Sequence, residues 1–162
     1  MKKLIFIGLM ICFTFASCGN KSKTIVIDPI FSCSFSAEYN DTSIKGDINV
    51  SDDNVKIVIT EPDVIKGVTL TANNNQVSLE YMGLTKTFSQ ADYPQIAFIS
   101  SIKEIISDVS MNKPEAAVIE NGYGINGSFN GYEYNLIIDN DLLISKIYVP
   151  SIDLSVELYD YK

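Results

Sequence analysis

Apolar and polar residues alternate with a period of two along most of the chain after residue 30. Phe31, Cys33, Phe35, Ala37 and Tyr39 alternate with serines and one acid. This pattern is typical of a strand with one buried face and one solvated face. The same alternation recurs in later segments, which are separated by clusters of Asn, Asp and Gly that favour tight turns. The sequence therefore predicts about ten or eleven short antiparallel strands.

One segment breaks this period. Asp92, Pro94 and Gln95 form a typical helix N-terminus, with a cap, a proline in the first turn and a glutamine three residues after the cap. Apolar residues then recur at helical spacing: Ile96, Phe98, Ile99, Ile102, Ile105, Ile106 and Val109. So apolar a face must pack against another element, and the glycines within the strands favour a bent sheet. We predict an α+β fold, a curved antiparallel half-barrel wrapped around one long amphipathic helix.

The beginning of the chain has a different pattern. Lys2 and Lys3 precede an apolar run at 4–15 and small residues at 16–17, and Cys18 follows directly. A positive start, a short apolar run and a small-residue cleavage site predict a secretory signal peptide. The run is too short for a spanning helix, which needs about 20 apolar residues.

A signal that ends on cysteine resembles the lipobox of bacterial lipoproteins. That resemblance implies cleavage before Cys18, lipidation of its thiol and an extracytoplasmic protein anchored to a bacterial cell membrane through that lipid. The alternative is an ordinary signal peptide with an incidental cysteine. We predict a signal peptide at 1–17, the lipidated cysteine and a tether at 18–27, and a single β-rich globular domain at 28–162.

Composition restricts the function. The chain has 12 lysines, no arginine or histidine, and 20 acidic residues. Removal of 1–17 leaves 10 lysines, and a body this acidic is a poor match for nucleic acid or for an anionic membrane surface. We therefore predict no nucleic-acid partner, and membrane contact through the lipid on Cys18 alone. A protein partner is left open.

The absent residue types also bear on catalysis. Without histidine, the chain cannot form a Ser-His or Cys-His catalytic pair. Cys33 is the one thiol left in the predicted mature domain, and we predict that it is buried and packs as a small hydrophobic residue. Residues 139–141, Asp-Asn-Asp, offer ligands that calcium prefers, but they also fit a tight turn, which we favour. Paired carboxylates of the glycosidase type remain a formal alternative. We predict no enzymatic activity, no cofactor and no metal.

The order of the predicted elements resembles that of the Lol-type lipoprotein carriers. The correspondence consists of the strand meander from Phe31, the turn at 61–67, the hairpin at 81–84, the helix from Pro94 and the terminal strands. The resemblance implies a half-barrel whose concave sheet is covered by helices and holds acyl chains. Carrier members also use an arginine near the cavity, and this chain has none. The implied role is therefore the binding of an apolar or amphiphilic ligand.

Two function hypotheses follow. The first is a non-enzymatic binder or carrier of a lipid or other amphiphile, held between helix and sheet. Its predicted pocket is lined by nine apolar residues: Phe31, Phe35, Ile57, Ile59, Leu70, Leu79, Phe98, Ile99 and Ile102. The alternative is a surface interaction or scaffold lipoprotein with a solid core and no ligand. The apolar face of the predicted helix is compatible with both hypotheses, because the sequence does not show whether the space between helix and sheet is filled.

Overall fold

A computed structural model describes residues 22–73, 76–89 and 97–162, and this part of the chain contains twelve strands and one α-helix. The helix, α1, spans Ala97–Asn112, and short 3-10 turns lie at Asp63–Ile65 and Pro150–Ile152. The strands are β1 Ser22–Thr24, β2 Phe31–Tyr39, β3 Thr42–Val50, β4 Val55–Glu61, β5 Thr69–Ala72, β6 Gln76–Tyr81, β7 Leu84–Ser89, β8 Glu115–Ile119, β9 Gly122–Phe129, β10 Tyr132–Ile138, β11 Ile144–Val149 and β12 Leu154–Tyr159.

The strands form one antiparallel sheet in the order β1-β8-β9-β10-β11-β12-β2-β3-β4-β5-β6-β7. Two meanders, β2 to β7 and β8 to β12, are joined where β12 pairs with β2, with Leu158 opposite Phe35. The sheet is open, because among the described residues β1 and β7 each pair on one side only. The predicted class, an antiparallel sheet with one helix, is confirmed.

The contacts of α1 require the sheet to bend. The helix contacts β4 and β5 in one meander and β9 in the other. β4 and β9 are six strand spacings apart, which is about 29 Å in a flat sheet, whereas a helix is about 10–12 Å across. Both can contact the same helix only if the sheet curves around it. The ring of Phe98 lies 5.6 Å from that of Tyr39 on β2, so the centre of the sheet also reaches α1.

The predicted element sizes need correction. The described residues contain twelve strands rather than ten or eleven, because Ser22–Thr24 forms β1 although this exposed polar triplet shows no alternation. The helix is short rather than long: its 16 described residues extend about 24 Å. That length matches strands of six to nine residues, which are about 20–30 Å long. The predicted N-terminal signal at 92–96 lies outside the described residues.

Described residues ahead of the predicted domain boundary at residue 28 also contact the sheet. β1 pairs with β8, with Ser22 opposite Ala117. Residues 25–30, which we call the strap, then lead to β2 and bury Ile25 and Ile27 in the core at 2% and 4% exposure. Two buried positions are too few for a periodic pattern to reveal. The predicted signal peptide and Cys18 lie outside the described residues.

The core lies between the concave face of the sheet and α1. Cys33 belongs to it as a free, buried thiol, as predicted. Burial raises the pKa of Cys33 to about 11, so the thiol is protonated and unreactive at neutral pH. None of the helices in the described ranges has the length and apolar character needed to span a bilayer.

Candidate functional site

The structure places most of the predicted pocket residues in the interior. Ile57, Leu70 and Leu79 lie side by side in one cross-strand row on the concave face. Leu79 and Phe31 are partly buried against the core. The other seven are at most 3% exposed: Phe35, Ile57, Ile59, Leu70, Phe98, Ile99 and Ile102. The structure thus brings these residues together as core, and their role in lining a ligand pocket stays a prediction.

A cleft of about 270 Å³ lies elsewhere, at one end of the sheet. Three segments form it: the strap with the start of β2, the loop between β10 and β11, and the C-terminal residues. We call it the end cleft. Of the nine predicted residues, all of them described, Phe31 alone is in its lining: Ile27, Asp28, Ile30, Phe31, Leu142, Leu143, Ile144, Tyr161 and Lys162.

The floor of the end cleft is an aromatic pair. The ring centroids of Phe31 and Tyr161 are 5.4 Å apart at an interplanar angle of 48°, a tilted geometry that aromatic pairs favour. The Tyr161 hydroxyl donates a 2.6 Å hydrogen bond to the Ile144 carbonyl, so the floor is tied to β11. On the strap side, the Ile30 N–H donates to Asp28 Oδ1 at 2.9 Å, and this turn leaves Ile30 52% exposed.

The opposite wall is the β10–β11 loop, residues 139–143. Asp139 Oδ1 accepts the N–H groups of Asp141 and Leu143, each at 2.9 Å. These backbone bonds to Asp139 Oδ1 confirm the predicted tight turn. The loop holds Leu142 and Leu143 half in water, at 39% and 37% exposure.

The backbone of this loop is strained at Leu142, which has φ of +65°. For a residue other than glycine, asparagine or aspartate, the left-handed conformation costs about 1–2 kcal/mol. The loop therefore holds an apolar side chain at the cleft at two costs. The side chain is partly exposed to water, and its backbone has an unfavourable conformation.

Two charged residues, Asp28 and Lys162, line the end cleft. Lys162 Nζ lies 3.0 Å from Asp47 Oδ1, and this hydrogen-bonded ammonium lowers the pKa of the Asp47 carboxyl. Burial raises the pKa of Tyr161, and the neighbouring Cys33 raises it further, so its hydroxyl is neutral at physiological pH. The other lining residues are aliphatic or aromatic, so the cleft suits an apolar or amphiphilic ligand.

Sequence reasoning missed Ile30, Leu142, Leu143 and Tyr161. None of them belongs to a long alternating segment, so periodicity did not select them. The available signal was the pair of leucines that follows 139–141 directly, because polar residues or glycine normally complete such a turn.

Comparison with known proteins assigns the chain to no family. No family model and no curated protein matches the sequence. Among solved structures, it is similar to an uncharacterized conserved protein from Thermus thermophilus, with 8% identity, TM-score 0.47, and 82% of this chain and 77% of that chain covered. It is also similar to a LolA superfamily protein, NE2245, from Nitrosomonas europaea, with 11% identity, TM-score 0.35, and coverage of 83% and 67%.

A third similar structure is a DUF1329 family protein from Desulfovibrio piger ATCC 29098, with 10% identity, TM-score 0.40, and 82% of each chain covered. Identities and TM-scores this low establish neither a shared family nor a shared function. The function must therefore be argued from the chain's own residues.

Proposed function

We propose that the protein is an extracytoplasmic lipoprotein, anchored through Cys18, that binds a lipid or other amphiphile without catalysing a reaction. The apolar part of the ligand occupies the end cleft. The observation that carries this proposal is the β10–β11 loop, which holds Leu142 and Leu143 half exposed although its backbone is strained at Leu142. The sequence pattern at 1–18 supports the anchor and the export.

The energetics favour an apolar ligand. Ile30, Leu142 and Leu143 converge on the end cleft and are each between 37% and 52% exposed. Covering apolar surface contributes about 25 cal/mol per Å², so a ligand that removes these three side chains from water is stabilised. A volume of about 270 Å³ is slightly below the usual range of ligand pockets, which starts at about 300 Å³. The cleft thus suits one acyl chain or its end.

The packing beneath α1 supports this location. Ile99, Ile102 and Ile105 are 0% exposed, as are Phe35 and Ile57 on the sheet below them. A ligand between helix and sheet would have to separate these side chains, whereas the end cleft accepts one without repacking the core. The alternative function, a scaffold lipoprotein without a ligand, has the same solid core. The two hypotheses differ in whether a ligand occupies the end cleft.

Titration with a fluorescent long-chain fatty acid tests the ligand. We expect saturable binding of one molecule per chain, about three- to sixfold weaker in Leu143→Ser. Fully burying a leucine is worth about 1.5–3 kcal/mol, the ligand covers the 37% of Leu143 that is exposed, and 1.4 kcal/mol is a factor of ten. The matched control is Leu84→Ser, which removes a leucine of 77% exposure from β7 and should not change the affinity. Absence of saturable binding, or equal losses in both variants, would defeat the proposal.

Cell fractionation tests the anchor. Cys18→Ala should move the protein from the membrane to the soluble fraction, because no thiol remains at that position for the acyl group. Cys33→Ala is the matched control and should stay with the membrane, since Cys33 is buried in the fold. Membrane retention of Cys18→Ala would show that the lipid on Cys18 is not the anchor.

A further inference from the structure

The convex face of β9 to β11 carries an exposed tyrosine beside two amide side chains. Asn126 on β9 is opposite Asn135 on β10, and Asn135 is opposite Tyr148 on β11. Directly opposed residues on one face of a sheet are about 5 Å apart, so the three side chains form a continuous row. Tyr148 is 40% exposed, and both asparagines are exposed. We call these residues the Tyr148 row.

The two amides are hydrogen-bonded to each other. Asn135 Nδ2 donates a 2.7 Å hydrogen bond to Asn126 Oδ1. Each asparagine side chain has two donors and a two-lone-pair acceptor, so each keeps hydrogen-bonding groups beyond this bond. A shallow depression of about 480 Å³ lies over the pair, and its lining also includes Ser128 and Glu133. Tyr148 lies next to this depression, opposite Asn135 in the register. The row thus combines an exposed tyrosine ring with hydrogen-bond donors and acceptors.

This combination matches the chemistry of a sugar ring. A pyranose presents an apolar C–H face, which packs on an aromatic ring, and a rim of hydroxyls, which bond to amides and carboxylates. Glu133 is exposed beside the row, and Lys146, also beside it, is paired with Glu157 at 3.1 Å. The local charge is therefore negative, which disfavours acidic glycans. We propose that the Tyr148 row binds a neutral polysaccharide.

The proposal does not depend on the end cleft, which is formed by other residues. A second exposed tyrosine provides a matched control. Tyr159 on β12 is also 40% exposed, but its neighbour in the register is Ser34, followed by Asp47. It has the same aromatic exposure on the convex face without adjacent amides.

Calorimetric titration of the full chain with cello-, malto- and chito-hexaose tests the proposal. We expect saturable binding of at least one of them, weakened about tenfold or more in Tyr148→Ala and in Asn135→Ala. Tyr148→Phe, which keeps the ring, and Tyr159→Ala should both stay within about twofold of the parent. All four substitutions are at exposed positions, so circular dichroism should confirm an unchanged fold. Failure of all three hexasaccharides to bind, or equal losses in Tyr148→Ala and Tyr159→Ala, would overturn the proposal.

Discussion

Two apolar regions of the molecule bury their side chains to different extents. Beneath α1, Ile57 and Ile102 are 0% exposed, whereas Leu142 and Leu143 at the end cleft are 39% and 37% exposed. The first region is built from regular strands and a helix, whose periodic apolar faces cover one another. The second is built from a strap, a loop and a chain end. Folding therefore covers the apolar side chains beneath α1 completely, whereas those at the end cleft remain partly exposed to water.

The largest expected effect is a difference in the free energy of unfolding between alanine variants of the two regions. Ile102→Ala leaves a cavity in a closed core, so we expect a loss of about 2–5 kcal/mol in the free energy of unfolding. Leu143→Ala removes a side chain already half in water and should cost less than about 1 kcal/mol. Urea unfolding measures both. Similar losses in the two variants would show that the end cleft is ordinary core.

Alkaline pH tests the closed region in another way. Burial raises the pKa of Cys33 from 9.0 to about 11. Above pH 9 the unfolded chain loses this proton while the folded protein keeps it, so stability is fully present below pH 9 and falls as the pH rises towards 11. The loss is on the order of 2 kcal/mol.

The matched variant is Cys33→Ala. Unfolding measured between pH 8 and 11 should show that this variant lacks the first part of the decline. A decline above pH 10 should persist, because burial also raises the pKa of Tyr134 and Tyr161. An identical pH profile in Cys33→Ala would contradict the buried neutral thiol.

The smallest expected effect is a difference between asparagine substitutions at the two leucines of the end cleft. Asparagine tolerates the left-handed conformation better than leucine and so avoids part of its cost, which is about 1–2 kcal/mol. Leu142→Asn should therefore stabilise the protein by about 0.5–1 kcal/mol and weaken fatty-acid binding. Leu143→Asn, where φ is not positive, should weaken binding without the gain in stability. If Leu142→Asn left binding unchanged, the strained leucine would have no part in the ligand site.

The strands and the core could be predicted because regular elements repeat. The alternation at 31–39 predicted β2 with its bounds, and the helical stripe predicted the face of α1 that Ile99 and Ile102 bury. The end cleft could not, because it depends on tertiary contacts such as that between Phe31 and Tyr161, 130 positions apart in sequence. β1 was missed for the same reason, since its three residues are held by pairing with β8 rather than by their own pattern.

The most direct test of the ligand site is nuclear magnetic resonance with a fatty acid that carries a nitroxide at its methyl end. Binding in the end cleft predicts line broadening centred on Ile30, Leu142 and Leu143, with the signals of Ile57 and Ile102 beneath α1 retained. Broadening centred on Ile57 and Ile102, or no localised broadening at saturating ligand, would contradict the account.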